Sequence, residues 1–142
     1  MTNFKVLIVD DEQDFLETTT KRMQKRNIQC ETASSGKEAI EKINTGDFDV
    51  VLLDVKMPGM DGVETLREIK RIKPLIEVVM LTGHASVESG IEGMKLGAFD
   101  YLMKPMELDP LLEKIKDAYA KKRIQEEKIE LAQIKKHMSM PS

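Results

Sequence analysis

Acidic residues follow two strongly apolar segments of this 142-residue chain. Asp10 and Asp11 come directly after "KVLIV", and Asp54 comes directly after "VVLL". Clustered carboxylates repel one another and favour a hard cation with oxygen ligands, for which Mg²⁺ is the best match. A carboxylate can also attack a phosphoryl group and form an aspartyl-phosphate. The chemistry therefore depends on whether the fold brings these three acids together.

Two more polar residues follow later apolar segments. Thr82 comes after "EVVML", and Lys104 comes after "YLM". A hydroxyl group and an ammonium group are donors that an anionic phosphoryl group needs beside a metal ion. Taken singly, such residues are more often turn residues, strand formers or surface lysines. Their shared position after apolar segments favours a common site.

Five short apolar segments alternate with helical patterns and must position these residues. Four of them are nearly continuous runs, which is typical of strands covered on both faces. "IQCETA" alternates instead and is expected near a sheet edge. The segments are Phe4–Val9, Ile28–Ala33, Val50–Leu53, Ile76–Leu81 and Phe99–Met103. This order predicts an α/β fold with a doubly wound, five-stranded parallel sheet, (βα)5, whose strand ends share one edge.

Helix start and stop signals separate the strands. Capping residues, a glycine stop and a cap followed by a first-turn proline are each expected at a helix end. These signals are Ser35 with Glu38, Asp61 with Glu64, Gly97, and Asp109 with Pro110, and the first helix is expected from about Asp14 to Arg26. The helices so defined lie between the five apolar segments, as the predicted fold requires.

The predicted strand ends allow a role to be assigned to each residue. Asp54 stands alone at the end of a central strand, before a loop that contains glycine, so we assign it as the nucleophile. Asp10 and Asp11 are adjacent and are assigned as metal ligands. The backbone carbonyl of Lys56 could add one more oxygen ligand. Thr82 and Lys104 would then bind the phosphoryl group.

Four motifs of the chain resemble the receiver domain of two-component response regulators, the CheY-like family. They are "VDD" at Val9–Asp11, "LLDVKMPGMDG" at Leu52–Gly62, "MLTGH" at Met80–His84 and "DYLMKP" at Asp100–Pro105. The resemblance runs from about Asn3 to Tyr119 and implies a flavodoxin-like sheet. It also implies phosphorylation of Asp54 by a histidine kinase or a histidine phosphotransfer protein, with Mg²⁺ at Asp11 and Asp54 and with Asp10 assisting.

The resemblance also implies how such a domain would signal. Thr82 and Tyr101 would change conformation together on phosphorylation, and the Lys104–Pro105 peptide bond would be cis. The surface of the fourth helix, fifth strand and fifth helix would be read by a downstream protein target. Residues expected on that surface are Met94, Lys95, Tyr101 and Leu108.

Lys56 and His84 occupy two positions that vary within the family. Lys56 lies two residues after Asp54, and His84 lies two residues after Thr82. By resemblance, both should border the path of a hydrolytic water. Our hypothesis is that these bulky side chains shield the aspartyl-phosphate and lengthen its lifetime.

Composition narrows the function classes. The net charge is −3, only 4% of residues are aromatic and there is no Trp. These values argue against direct nucleic-acid binding by this chain. The single cysteine, Cys30, cannot form an internal disulfide, and no leader or membrane-length apolar run is present. A cytoplasmic protein is therefore expected.

The composition changes after Tyr119, which suggests a receiver domain over residues 1–119 and a C-terminal helical extension or linker over residues 120–142. Ile124, Leu131 and Met138 are seven residues apart, with Ala120 and Ile134 at the complementary heptad position. The spacing suggests a coiled-coil seam and a homodimer, for which the fourth helix–fifth strand–fifth helix face is another candidate. Glu127 interrupts the seam, so a solvated helix or a linker cut from a longer regulator remains open.

Two other functions fit the residues less well. A phosphatase that works through an aspartyl-phosphate usually has a second carboxylate two residues after the nucleophile, where this chain has Lys56. A dinucleotide-binding domain would have G-x-G-x-x-G after the first strand, where this chain has Asp10 and Asp11. We therefore expect a signalling switch that catalyses only its own phosphorylation and dephosphorylation.

Overall fold

Strands and helices alternate along the whole fold. The computed structural model describes residues 3–55, 61–83 and 87–139. The strands are β1 Lys5–Val9, β2 Gln29–Ala33, β3 Val50–Asp54, β4 Glu77–Thr82 and β5 Asp100–Met103. The helices are α1 Gln13–Lys25, α2 Gly36–Thr45, α3 Gly62–Ile72, α4 Val87–Lys95 and α5 Leu108–Ser139. The predicted (βα)5 order is confirmed.

The five strands form one parallel sheet in the order β2-β1-β3-β4-β5. The chain passes from β1 to β2 at one edge of the sheet and then crosses to β3, which lies on the other side of β1. Such a reversal of strand order leaves a crevice at the carboxyl ends of the strands, where ligands bind in doubly wound sheets. The alternating segment forms the edge strand β2, as its pattern predicts.

Both faces of the sheet are covered by helices. Every residue of β3 and β4 is buried, which explains their continuous apolar runs. Leu7 and Val9 face the core formed with α2 and α3, whereas Val6 and Ile8 face the core formed with α1 and α5. The alternation of side chains along each strand divides the apolar residues between these two cores.

Three of the predicted helix signals act as expected. The Ser35 hydroxyl accepts a hydrogen bond from the Glu38 N–H at 3.1 Å, and the Asp61 carboxylate accepts one from the Glu64 N–H at 2.8 Å. Gly97 follows α4 with φ +103°, a conformation that favours glycine. The sequence signals therefore locate these helix ends to within a residue or two.

The expected cap at Asp109 is wrong. The helix α5 begins at Leu108, so Asp109 lies in its first turn together with Pro110. The Asp109 carboxylate accepts a hydrogen bond from the Arg26 guanidinium at 2.9 Å instead of capping the helix. A negative charge in the first turn still favours the helix through its dipole. The contact joins α5 to the residue after α1.

The last helix continues well beyond the sheet. Every residue from Glu127 to Met138 is exposed. Among the described residues, none of the helices combines the length and apolar character needed to cross a membrane.

Candidate functional site

The predicted site residues meet at the carboxyl edge of the sheet. Asp54 is the last residue of β3, and Thr82 is the last residue of β4. Both therefore belong to the strands that they were expected to follow. Asp10 comes directly after β1, whose Val9 pairs with Leu53. Adjacent parallel strands thus place the three polar side chains at one edge.

Asp10 is the most buried acid of this edge, with no exposed surface. One carboxylate oxygen accepts a hydrogen bond from the Glu12 N–H at 3.0 Å. The other oxygen forms an ion pair with the Lys104 ammonium. A buried carboxylate requires such partners, because an unpaired charge in the interior is strongly destabilising.

Lys104 stands among several acids. Its Nζ contacts Asp10 and lies 4.0 Å from a carboxylate oxygen of Asp54 and 4.0 Å from one of Glu12. The same ammonium lies 4.2 Å from the centre of the Phe15 ring, within the range of a cation–π interaction. One cation is therefore shared between several carboxylates.

Thr82 is linked to Lys104 through the backbone. Its carbonyl accepts a hydrogen bond from the Lys104 N–H at 2.8 Å. Its hydroxyl donates to the carbonyl of Gly83 at 2.9 Å, and the residue is 1% exposed. The hydroxyl would have to leave that carbonyl in order to bind another group.

The start of α3 packs directly on the end of β3. A Cβ atom at Gly62 would lie 2.5 Å from the carbonyl oxygen of Asp54 and 2.5 Å from Cα of Val55. The Gly62 N–H donates to the Val55 carbonyl at 3.0 Å. Glycine is required here by this close approach of the backbone.

Lys56 and His84 lie outside the described residues. The predicted metal ligand at the Lys56 carbonyl and the predicted shielding by both side chains therefore stay predictions.

An acidic cluster stands beside Lys104. One carboxylate oxygen from each of Asp10, Asp11 and Glu12 can lie within 4.8 Å of the others. Asp11 and Glu12 are exposed, so oxygen donors face the solvent there. A set of hard, negative oxygens fits the ligand preference of Mg²⁺. Glu12 was missed by the sequence analysis, although it directly extends the pair Asp10–Asp11.

A cleft of about 430 Å³ opens beside Lys104, between α1 and the start of α5. Phe15, Met106 and Leu111 give it an apolar lining, and Arg22 adds a positive charge. The Lys104–Pro105 peptide bond in its wall is cis, as the resemblance implies. A partner that approaches the carboxyl edge would meet this cleft.

The expected readout surface carries apolar side chains. Tyr101 is half-buried in β5, and a Cβ atom at Gly90 of α4 would lie 3.3 Å from its ring. Ile91, Met94 and Met103 are 50%, 40% and 43% exposed. Lys95 is also exposed and Leu108 is half-buried. Exposed apolar groups around a half-buried tyrosine are typical of a binding surface.

Residues 6–116 match the family model described as the response regulator receiver domain. The transcriptional regulatory protein ZraR of Escherichia coli K12 is 38% identical over 118 residues, which are 83% of this chain and 27% of that protein. The DNA-binding transcriptional regulator NtrC of Klebsiella pneumoniae is 35% identical over 102 residues, which are 72% of this chain and 22% of that protein. The chain thus spans about a quarter of the length of these relatives.

Solved structures show the same architecture. A CheY-like receiver domain protein from Methanospirillum hungatei JF-1 has a TM-score of 0.82 at 32% identity and covers 87% of this chain and 99% of its own. A structure described as adenylate cyclase from Rhodopirellula baltica has a TM-score of 0.88 at 29% identity and covers 93% of this chain and 98% of its own.

Proposed function

This chain belongs to the response regulator receiver domain family, and we propose that it is a two-component signalling switch whose phosphoryl acceptor is Asp54. The observation that carries the proposal is the position of Lys104. Its ammonium lies 4.0 Å from the Asp54 carboxylate and is shared with Asp10 and Glu12. A cation so placed can bind an oxygen of a phosphoryl group attached to Asp54.

In the proposed reaction, a carboxylate oxygen of Asp54 attacks the phosphorus of a phosphohistidine on a histidine kinase or a histidine phosphotransfer protein. A new O–P bond forms as the P–N bond breaks, and the leaving imidazole keeps the bonding electrons and takes up a proton. Asp54 is 7% exposed, so only a donor seated on the carboxyl edge could reach it. The cleft beside Lys104 would receive part of that donor.

We assign Mg²⁺ as the cofactor, held by Asp10, Asp11 and Asp54 and by the Lys56 carbonyl. Glu12 belongs to the same acidic cluster and would contribute a fourth carboxylate nearby. When bound, the ion offsets the negative charge of the carboxylates and the phosphoryl group. Lys104 neutralises the buried Asp10 and stays within reach of the acceptor.

The proposed output is a change of protein-binding surface. The Thr82 hydroxyl would leave the Gly83 carbonyl, which it now contacts at 2.9 Å, and would donate to the phosphoryl group. Tyr101 would move in the space left by Gly90. Phosphorylation would thereby shift the population toward one state of the α4–β5–α5 surface. The downstream target is a protein, and we assign no nucleic-acid contact to this chain.

The lifetime of the phosphorylated state would depend on Lys56 and His84. Lys56→Asn and His84→Ala are expected to hydrolyse the aspartyl-phosphate faster than the wild-type chain. The decay of the adduct after removal of the phosphodonor measures this rate. The hypothesis is wrong if neither substitution accelerates the decay.

We propose that the switch is cytoplasmic and that it does not turn over a substrate. Lys56 stands where a phosphatase would carry its second carboxylate.

The proposal can be tested with a small phosphodonor. The chain is incubated with acetyl phosphate and Mg²⁺ or with acetyl phosphate and EDTA, and the acyl phosphate is then reduced with borohydride. Mass spectrometry of the digest is expected to place one modification on Asp54, only in the sample with Mg²⁺. Modification of another residue, or steady release of phosphate without an adduct, would contradict the proposal.

A further inference from the structure

The Lys104 ammonium has an aromatic neighbour as well as its acids. It lies over the face of the Phe15 ring, 4.2 Å from the ring centre. Its Nζ also contacts Asp10 and lies 4.0 Å from carboxylate oxygens of Asp54 and Glu12. A cation within about 6 Å of a ring centre is attracted by the negative face of the ring. The Phe15 ring therefore helps to decide where this cation lies.

A ring attracts the ammonium in a different way from a carboxylate. A carboxylate neutralises the charge of the cation, as the buried Asp10 does for Lys104. An aromatic ring has no net charge, so it attracts the ammonium through its quadrupole and leaves the positive charge available to an anion. An attraction of this kind suits a lysine that has to bind an incoming phosphoryl group.

Lys104 needs a restraint because two further acids lie at equal distances from it. Its side chain is a flexible four-carbon stem, and its ammonium lies 4.0 Å from Asp54 and 4.0 Å from Glu12. The Glu12 side chain is 70% exposed, whereas that of Asp54 is 10% exposed. A lysine that turned toward Glu12 would move toward the solvent and away from the acceptor. The attraction to Phe15 stabilises the observed position, in which the lysine stays beside Asp54.

The ring is carried by a helix that is fixed to the sheet. Phe15 lies in the first turn of α1, and the next residue, Leu16, is 3% exposed. Leu16 packs in the core that contains Ile8 of β1 and Leu112 of α5. Phe15 is half-buried and packs against the same core. A group on an anchored helix is held more precisely than one on a loop.

We propose that Phe15 is a positioning residue for the phosphorylation of Asp54, and that its ring holds the Lys104 ammonium beside the acceptor. This role rests on the proposed function, because it belongs to the same reaction. Phe15 also lines the cleft beside Lys104, where it would contact a protein phosphodonor. A small phosphodonor separates the two roles, because acetyl phosphate does not need the cleft for docking.

The rate of adduct formation from acetyl phosphate and Mg²⁺ tests the positioning role. Phe15→Leu keeps an apolar side chain but removes the ring, and it should slow the reaction roughly threefold to tenfold. Phe15→Tyr keeps a ring face and should react at close to the wild-type rate. Met106→Leu is a matched control that should also react at that rate, because Met106 lines the same cleft but offers no aromatic face. Intact-protein mass spectrometry measures the phosphorylated fraction over time.

Fluorinated phenylalanines at position 15 separate the electrostatic effect of the ring from its packing. Added fluorine atoms withdraw electrons from the ring face and weaken its attraction for a cation, while the ring keeps nearly the same size. The rate should therefore fall stepwise from phenylalanine through the monofluorinated to the pentafluorinated side chain. Urea unfolding of each variant checks that the fold is intact, and the fluorinated series still tests the role if Phe15→Leu is unstable.

Three results would overturn the positioning role and leave the proposed function standing. They are equal rates for the wild type and Phe15→Leu, a loss of rate in Phe15→Tyr as large as in Phe15→Leu, and the absence of a trend along the fluorinated series. A wild-type chain that acquires no adduct on Asp54 would overturn both the role and the function.

Discussion

The strand β3 has an aspartate at each end, and the two carboxylates differ in their electrostatic surroundings. Asp49 precedes the strand at the amino edge of the sheet, where its oxygens accept hydrogen bonds from Lys122 at 2.7 Å and from the Lys5 N–H at 2.9 Å. Asp54 ends the strand at the carboxyl edge, 4.0 Å from Lys104. Both oxygens of Asp49 accept hydrogen bonds, whereas the lysine near Asp54 makes its closest contact with Asp10.

The two edges also differ in the balance of positive and negative side chains around each aspartate. At the amino edge, the buried Glu77 has both Lys70 at 3.6 Å and Lys121 at 3.4 Å. At the carboxyl edge, the described residues place Lys104 among Asp10, Asp54 and Glu12, with Asp11 in the same acidic cluster. In balanced ion pairs each buried charge has a partner whose removal would be destabilising, whereas an excess of clustered carboxylates favours the binding of a cation. Charge balance thus separates a structural cluster from a candidate reactive one.

The largest expected effect is on the phosphorylation rate. Lys104→Met should slow adduct formation from acetyl phosphate by roughly 10²–10³-fold, because it removes the cation nearest the acceptor. Lys122→Met removes a lysine from the amino edge and should leave the rate nearly unchanged. Quantifying the adduct over time by intact-protein mass spectrometry measures both. Equal rates for the two variants would show that the two edges do not differ in function.

The second effect is on stability. Lys122→Met should lower the free energy of unfolding by about 3 kcal/mol, because Asp49 loses its ionic partner in a largely buried site. Urea unfolding measures the loss, with Lys116→Met on the exposed face of α5 as the control. A loss no larger than that of the control would show that the amino-edge cluster is not structural.

The ion pair between Lys122 and Asp49 also leads us to expect a change in stability at alkaline pH. Burial lowers the pKa of Lys122, but the hydrogen bonds and charges of Asp49 and Glu126 outweigh burial, so the pKa is raised overall. A raised lysine pKa contributes stability that is complete below the unfolded pKa of about 10.4 and is lost as pH rises through the folded pKa. The stability difference between wild type and Lys122→Met should therefore shrink above that pH. A difference that grows at alkaline pH would contradict the assignment.

Sequence patterns predicted the fold and the shared location of several residues of the candidate site. Continuous apolar runs identified the buried strands, and the parallel order then placed Asp54, Thr82 and Lys104 at one edge. Those inferences need only local patterns and one topological rule. The pairing of Asp49 with Lys122 was not predictable, because the two residues are 73 positions apart and neither belongs to a motif. Asp109 directly precedes Pro110, which locally suggests a helix cap, whereas its actual partner Arg26 is 83 positions away and leaves no local signal.

The smallest expected effect is the gain in stability when Mg²⁺ binds. If the carboxyl edge binds the ion, the free energy of unfolding should rise by about 1.4 kcal/mol at tenfold excess over the dissociation constant. Asp11→Asn should reduce this gain, since it removes one carboxylate of the cluster, whereas Asp49→Asn should keep it. Thermal unfolding of the wild type, Asp11→Asn and Asp49→Asn with and without MgCl₂ measures this gain in stability. A gain that persists in Asp11→Asn but disappears in Asp49→Asn would place the ion at the amino edge of the sheet and contradict the proposed site.

The most direct test compares Asp54→Asn with Asp49→Asn, the same substitution at the two ends of one strand. Each protein is incubated with acetyl phosphate and Mg²⁺, and the phosphorylated fraction is read from its intact mass. We predict no adduct for Asp54→Asn and a fraction near that of the wild type for a folded Asp49→Asn. An adduct of normal yield on Asp54→Asn would contradict the assignment of Asp54 as the phosphoryl acceptor.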